Sequence, residues 1–222
     1  MGTLYLVSTP IGNMEDITLR AIRILGKVDN IACEDTRKTG LLLERLKISP
    51  KPKLISYYEE NEIMRIPQII DLLKKGQDIA LVSNAGTPTI SDPGYKLVHE
   101  CLGQLIKVEA IPGPSAVLAA LVSSGLPTDK FLFLGYLPKK PGKREKIWQL
   151  AKTAGVTTII FESPHRLLKT LKEIQTVFSD IEIVVCRELT KVYEEICREK
   201  AFVKPKGELT LVFFQRRGVA ER

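Results

Sequence analysis

Two charged blocks and one loop of small residues hold the side chains best suited to chemistry. Glu34-Asp35-Thr36-Arg37 sets two carboxylates and a guanidinium directly after the short strand-like run Asn30 to Cys33. Glu162-Ser163-Pro164-His165-Arg166 follows the strand-like run Thr157 to Phe161. Between them in sequence, the apolar run Ile79 to Val82 empties into Ser83-Asn84-Ala85-Gly86-Thr87-Pro88-Thr89-Ile90-Ser91-Asp92-Pro93-Gly94. An apolar run cut off by Gly and Pro reads as a buried strand ending in a shaped loop. Two more strand-like runs, Thr3 to Ser8 and Ile106 to Ile111, end in similar loops, Thr9-Pro10-Ile11-Gly12-Asn13 and Pro112-Gly113-Pro114-Ser115. Open α/β sheets bind ligands beyond the carboxyl ends of their strands. Three such loops on one sheet edge would build a pocket of backbone donors with few charges, suited to a neutral or zwitterionic ligand with an adenine-like ring.

Other chemistries lose their support. No Gly-x-Gly-x-x-Gly follows the first strand, and neither Gly-x-x-x-x-Gly-Lys-Ser/Thr nor Gly-x-Ser-x-Gly occurs. Two histidines, His99 and His165, and four cysteines without close-paired spacing argue against a metal site. Cys33, Cys101, Cys186 and Cys197 are expected as buried free thiols.

The elements that must carry these loops alternate between strand and helix. Asp16 is expected to cap a helix with Leu19, Ile22 and Leu25 inward and Gly26 as its stop. Leu41, Leu42, Leu43 and Leu46 make an amphipathic helix before Pro50. Lys53 to Ser56 is strand-like, and Glu59-Glu60-Asn61-Glu62 opens a helix with Ile66, Ile69, Ile70 and Leu73 inward. A helix from Tyr95 to Leu102 follows the long loop. Ser115 could cap a helix from Ala116 to Val122, closed by Gly125. A boundary near Gly125-Leu126-Pro127-Thr128 gives an α/β domain over 1–125 and a second over 126–222. In the second, strands are expected at Phe131 to Gly135, Thr157 to Phe161, Ile183 to Cys186 and Leu209 to Phe214. A flexible basic loop spans Leu137 to Lys146, with a helix around Ile147 to Ala151. Pro164 sits in the first turn of another helix, and a short helix lies near Tyr193 to Arg198.

With 222 residues, 44% hydrophobic and 27% charged, the chain can fill a core. It carries no apolar run of membrane-spanning length and no signal-like start, so cytoplasmic residence is expected. The first 125 residues hold 14 basic and 14 acidic side chains, so the whole net charge of +7 lies in the second half. That asymmetry points to an anionic partner.

Leu6-Val7-Ser8-Thr9-Pro10-Ile11-Gly12-Asn13, Glu34 to Arg37, Ser83 to Pro88, Ser91 to Gly94, Pro112 to Ala116 and Glu162 to Arg166, in that order, resemble the signature blocks of the ribosomal RNA small-subunit methyltransferase I family, within the tetrapyrrole methylase superfamily. The resemblance implies two α/β domains with a cofactor cleft between them, a homodimer, and S-adenosylmethionine-dependent methylation of a cytidine 2′-hydroxyl in small-subunit rRNA. Carried over by position, Thr9, Pro10, Ala85, Gly86, Thr87, Ile90, Ser115, Ala116 and Phe161 would hold the cofactor. The Glu34 to Arg37 and Glu162 to Arg166 blocks would serve substrate or chemistry. Glu34 is the candidate base, with Arg37 positioning a phosphate or carboxylate, the alternative being a structural Glu34–Arg37 pair. Lys139, Lys140, Lys143, Arg144, Lys146, His165 and Arg166 are expected to face RNA.

Asn84 stands where the family usually has Asp, and Tyr57 to Glu62 lacks a His often found there. The chain stops at Arg222 without the further segment many members carry, from which weaker or differently anchored rRNA binding is expected. Two alternatives stay open: methylation of a small tetrapyrrole, and an RNA-binding or assembly factor that keeps the cofactor pocket without turnover.

Overall fold

The computed structural model describes residues 1–198 and 205–216, so Arg222 lies outside them. The chain divides into two compact units, Met1–Ser115 and Ala116–Arg222. The division falls one helix before the boundary expected at 125/126.

The first unit is a five-stranded parallel sheet in the order β3-β2-β4-β1-β5. Its strands are β1 (Thr3–Val7), β2 (Asn30–Cys33), β3 (Lys53–Ser56), β4 (Ile79–Val82) and β5 (Lys107–Ile111). Four helices cross between them: α1 (Leu19–Leu25), α2 (Thr36–Arg45), α3 (Glu62–Lys74) and α4 (Tyr95–Gly103). Successive side chains in a strand point to opposite faces, so a strand covered on both sides must be apolar throughout. In β4, Ile79 and Leu81 pack with Ile69, Leu73 and Leu97 on one face. Ala80 and Val82 pack with Leu25, Ile31 and Leu43 on the other. Both faces being covered, the free surface for a ligand is the end of the sheet.

One helix start and one helix face differ from the sequence expectation. Asp16 closes a 3₁₀ turn, Met14–Asp16, and Thr18 is the cap of α1, accepting from the Ala21 amide at 3.1 Å. The later start turns Ala21, Ile24 and Leu25 inward and leaves Leu19 85% exposed. In α2 the buried residues are Thr39 and Leu43, one turn apart, while Leu41 is exposed.

The second unit is a mixed sheet in the order β6-β7-β10-β8-β9. It comprises β6 (Phe131–Tyr136), β7 (Thr157–Glu162), β8 (Ile181–Arg187), β9 (Glu195–Cys197) and β10 (Leu209–Gln215), with helices α5 (Ala116–Ser124), α6 (Pro141–Ala154) and α7 (Leu167–Val177). The helix α5 packs on β10 and β8, which is why it belongs to this unit. Gly125, with φ +76°, follows its end as expected. The short helix expected near Tyr193 is instead β9, paired antiparallel with β8 from Val185↔Cys197 to Arg187↔Glu195. Glu188 and Thr190, left-handed at φ 51° and 64°, lie in the turn that brings 195–197 back along β8. Pro164 precedes α7 in a turn closed by the Arg166 amide on the Ser163 carbonyl at 2.9 Å. Cys33, Cys101 and Cys186 are buried free thiols, Cys197 is half-buried, and burial pushes Cys101 and Cys186 up to about 11.

The expected basic loop is largely helix, because Pro141 is pre-shaped for a first turn and Gly155, left-handed at φ 59°, ends α6. This helical phase turns Arg144 inward, where it is 4% exposed. Its guanidinium donates to Glu173 at 2.6 and 2.8 Å and to Thr170 at 2.9 Å, and lies 5.8 Å from the Trp148 ring centre. Cutting one partner from a buried ion pair strands the other. Arg144→Ala is expected to cost about 3 kcal/mol in denaturant unfolding, whereas exposed Lys143→Ala should stay within about 0.5 kcal/mol. Equal effects at the two positions would refute the inward role.

Candidate functional site

The loops after β1, β4 and β5 meet at the carboxyl end of the first sheet, as their composition predicts. The join is a knot of short hydrogen bonds. Thr9 and Gly86 exchange both backbone bonds, at 2.9 and 3.0 Å, an antiparallel bridge beyond a parallel sheet. Thr87 Oγ1 lies 3.0 Å from Ser8 Oγ and donates to the Pro114 carbonyl at 3.1 Å, which brings in the third loop. Thr9 Oγ1 donates to the Ser83 carbonyl, and Ser83 Oγ donates back to Ala85 and Gly86. Ser8, Thr9 and Ser83 are buried, so their hydroxyls fix the loops to one another.

Glycine is required at the closest approaches. A Cβ on Gly113 would meet Ser8 Cβ at 2.9 Å, and one on Gly94, at φ 135°, would meet Leu81 at 2.7 Å. Gly86 has φ 80°, and two residues with side chains, Thr89 and Ser91, are also left-handed at 74° and 63°. For a β-branched threonine that conformation is strained by roughly 1–3 kcal/mol. Such strain persists only where surrounding contacts enforce it, and it concentrates at ligand sites. A hollow bounded by Asp29, Asn30, Lys53 and Gln77 lies at the amino ends of β2 and β3. There Asn30 already donates to Gln77 at 2.8 Å, and ligands of open α/β sheets bind at the other end.

Of the expected cofactor residues, Thr9, Pro10, Ala85, Gly86, Thr87, Ile90 and Ser115 lie in these three loops. Thr9 and Gly86 are buried, Pro10, Ala85, Thr87 and Ser115 half-buried, and Ile90 43% exposed. Ala116 opens α5 and Phe161 lies in β7, both in the second unit.

The charged block after β2 is arranged differently from the expected Glu34–Arg37 pair. Arg37 pairs with Asp35 at 3.1 Å, and Asp35 also caps α2 through the Arg37 and Lys38 amides. Those bonds hold the Asp35 carboxyl down at about 2. Glu34 turns to the long loop instead, accepting from the Asn84 backbone amide at 3.2 Å and from its side-chain amide at 2.9 Å. An aspartate at 84 could not make the second bond, which gives Asn84 its physical reason.

The basic residues of the second unit separate into two groups. Lys139, Lys140, Lys143, Lys146 and His165 are exposed. Arg144 is buried as described, and Arg166 is tied to Glu162 at 2.7 Å and to the Leu137 carbonyl at 2.8 Å. Glu162 is buried and also accepts from Thr170 and the Ser163 amide, at 2.6 and 2.7 Å. Glu162, Arg166 and Arg144 therefore serve the fold. Alternation and charge alone could not separate them from the exposed lysines.

Asp92, in the long loop after β4, is a candidate site residue that its place in the motif alone does not mark. Burial above all, and then the Glu34 charge, push its carboxyl up to about 7, against a hydrogen bond with Ser83. In the folded chain Asp92 keeps a proton that the unfolded chain has lost above about pH 4. Its contribution to stability is therefore full below that pH, declines as pH rises toward 7, and is flat above. Asp92→Asn should raise the melting temperature relative to the parent at pH 8, with the gain shrinking toward pH 4. A pH-independent difference would refute the assignment.

Residues 3–202 match the family model described as Tetrapyrrole (Corrin/Porphyrin) Methylases. A Thermotoga maritima protein named "Ribosomal RNA small subunit methyltransferase I" is 46% identical over 220 residues, covering 96% of this chain and 98% of its own. A Hydrogenobaculum protein of the same name is 49% identical over 196 residues, covering 88% and 84%. Among solved structures, the methyltransferase CobJ superposes with a TM-score of 0.73 at 17% identity, covering 98% and 97%. The Thermus thermophilus uroporphyrin-III C-methyltransferase complexed with S-adenyl homocysteine gives 0.65 at 20%, covering 95% and 97%. At those identities the structural matches speak for the fold, while the two sequence relatives extend over nearly every block described above. The chain belongs to the tetrapyrrole methylase family and, within it, to the ribosomal RNA small subunit methyltransferase I family.

Proposed function

We propose that this protein is an S-adenosylmethionine-dependent methyltransferase acting on the ribose 2′-hydroxyl of a cytidine in small-subunit ribosomal RNA. The observation that carries the reading is the three-loop knot, in which hydroxyls face inward while Cβ-free Gly86 and Gly113 keep the loop cradle narrow. Ala85, Gly86, Thr87, Ile90 and Ser115 supply small surfaces and backbone groups, a donor set that fits a zwitterionic nucleoside. Thr9 and Pro10 support them, and the family resemblance assigns Ala116 and Phe161 to the cofactor as well. S-adenosylmethionine supplies an activated methyl group on a positively charged sulfur.

The chain's own residues have then to align the ribose oxygen, exclude water and take up a proton. Alignment alone is worth up to roughly 7–11 kcal/mol. Glu34, aimed by its two bonds from Asn84, is assigned as the base that takes the hydroxyl proton as the oxygen gains the methyl. A base in that role contributes about 10²–10⁴ in rate. Arg37, exposed beside Asp35, and Lys139, Lys140, Lys143, Lys146 and His165 are assigned to the RNA, the cations at its phosphates. A cytoplasmic homodimer completes the proposal, carried by the family resemblance.

Labelled methyl from S-adenosylmethionine should enter purified small ribosomal subunits at a cytidine ribose, located by nucleotide mapping. Label in a tetrapyrrole instead, or cofactor binding without incorporation, would overturn the reading. In that assay Glu34→Gln should lose about 10²–10⁴ in turnover with unchanged cofactor affinity; full turnover would remove Glu34 as the base. Thr87→Trp should abolish cofactor binding in calorimetry while circular dichroism stays that of the parent. Undiminished binding would move the pocket away from the knot.

A further inference from the structure

The strand β6 departs from regular pairing at a place that redirects one aromatic ring. Phe133 pairs with Ile159 of β7, but the next pair is Tyr136 with Phe161. Three steps on β6 thus oppose two on β7, and Gly135, at φ 60°, lies within the extra step. Side chains alternate along a strand, so without the bulge Tyr136 would point away from Phe133. With it, Tyr136 joins Phe133 and Phe161 on one face. Ile160 and Leu134, on the opposite face, pack into the core beneath α6 and α7.

The three rings form a ledge. Phe133 meets Phe161 edge-on at 5.0 Å between centres, and Tyr136 lies tilted on Phe161 at 5.5 Å. Tyr136 is 58% exposed, a large aromatic surface held by its neighbours. Two exposed lysines, Lys139 and Lys140, follow it directly, just before α6. An exposed ring next to clustered cations is the arrangement that binds single-stranded nucleic acid, the ring stacking on a base while the cations meet phosphates.

We propose that Tyr136, set on the Phe133–Phe161 ledge by the Gly135 bulge, is a stacking platform for an unpaired base of the RNA substrate. The assignment rests on the rRNA reading above. Bulges beside functional sites commonly re-aim a side chain, and this one presents a ring that strand alternation would have turned inward.

The test uses the full chain and a fluorescent ten-cytidine RNA, with an all-abasic strand of equal length as comparison. Tyr136→Ala should weaken binding of the cytidine strand about 5- to 100-fold and leave the abasic strand and S-adenosylmethionine unaffected. Tyr136→Phe should bind within about twofold of the parent, because stacking needs only the ring. The salt dependence should keep its slope in both variants and flatten in the Lys139→Ala, Lys140→Ala double variant. In Tyr136→Trp, the new exposed indole should be quenched by the cytidine strand. Unchanged affinity in Tyr136→Ala, or no quenching in Tyr136→Trp, overturns the platform while the parent still binds RNA and labels subunits. Loss of cofactor affinity in Tyr136→Ala with RNA affinity intact assigns the ring to the cofactor and likewise overturns it. A parent that neither binds RNA nor labels subunits brings down the rRNA reading, and the platform with it.

Discussion

The exchange of backbone bonds between Thr9 and Gly86 closes the carboxyl end of the first sheet. A parallel sheet cannot join neighbouring strands by tight turns, so the loops after β1, β4 and β5 leave in separate directions unless something beyond the sheet recaptures them. Thr87 completes that capture by contacting Ser8 and the Pro114 carbonyl together. Each such bond is worth only about 1 kcal/mol net. Their joint effect is geometric: they hold the left-handed turn at Gly86 and tie the three loops to one another.

The same loop carries the electrostatics of the site. Asn84 reaches Glu34 with two donors, while Asp92 lies close enough to Glu34 for that charge to raise its carboxyl. An amide at position 84 lets one carboxylate stay oriented beside another without adding a third negative charge. A neutral residue in a motif that usually holds an acid thus has a structural cause, whichever proton the site handles.

Much of this was legible in the chain itself. The strand-like runs of the first half became the five parallel strands, with β2 and β4 buried along their whole length and the edge strands β3 and β5 only in part. The Pro/Gly loops fell at their carboxyl ends. What misled was local phase. Asp16 and Thr18 are both good caps, and only the 3₁₀ turn before α1 decided for Thr18. The Lys-rich segment from 137 looked like a loop, yet Pro141 starts a helix and its phase buries Arg144 among Glu173, Thr170 and Trp148. A basic residue in a basic stretch carries no sign of which way its side chain turns.

By itself, the sequence determined the parallel α/β class of the first half, the three-loop ligand edge, the charge asymmetry and the family. Those follow from hydrophobic period, turn chemistry and residue order, which are local and survive without coordinates. Tertiary structure decided the partners. It paired Glu34 with Asn84 rather than Arg37, drew Glu162 and Arg166 into the fold, and turned Tyr136 onto the Phe161 face through one bulge. Each of these depends on contacts between residues distant in sequence or on a one-residue shift in register, and neither is written in spacing or composition.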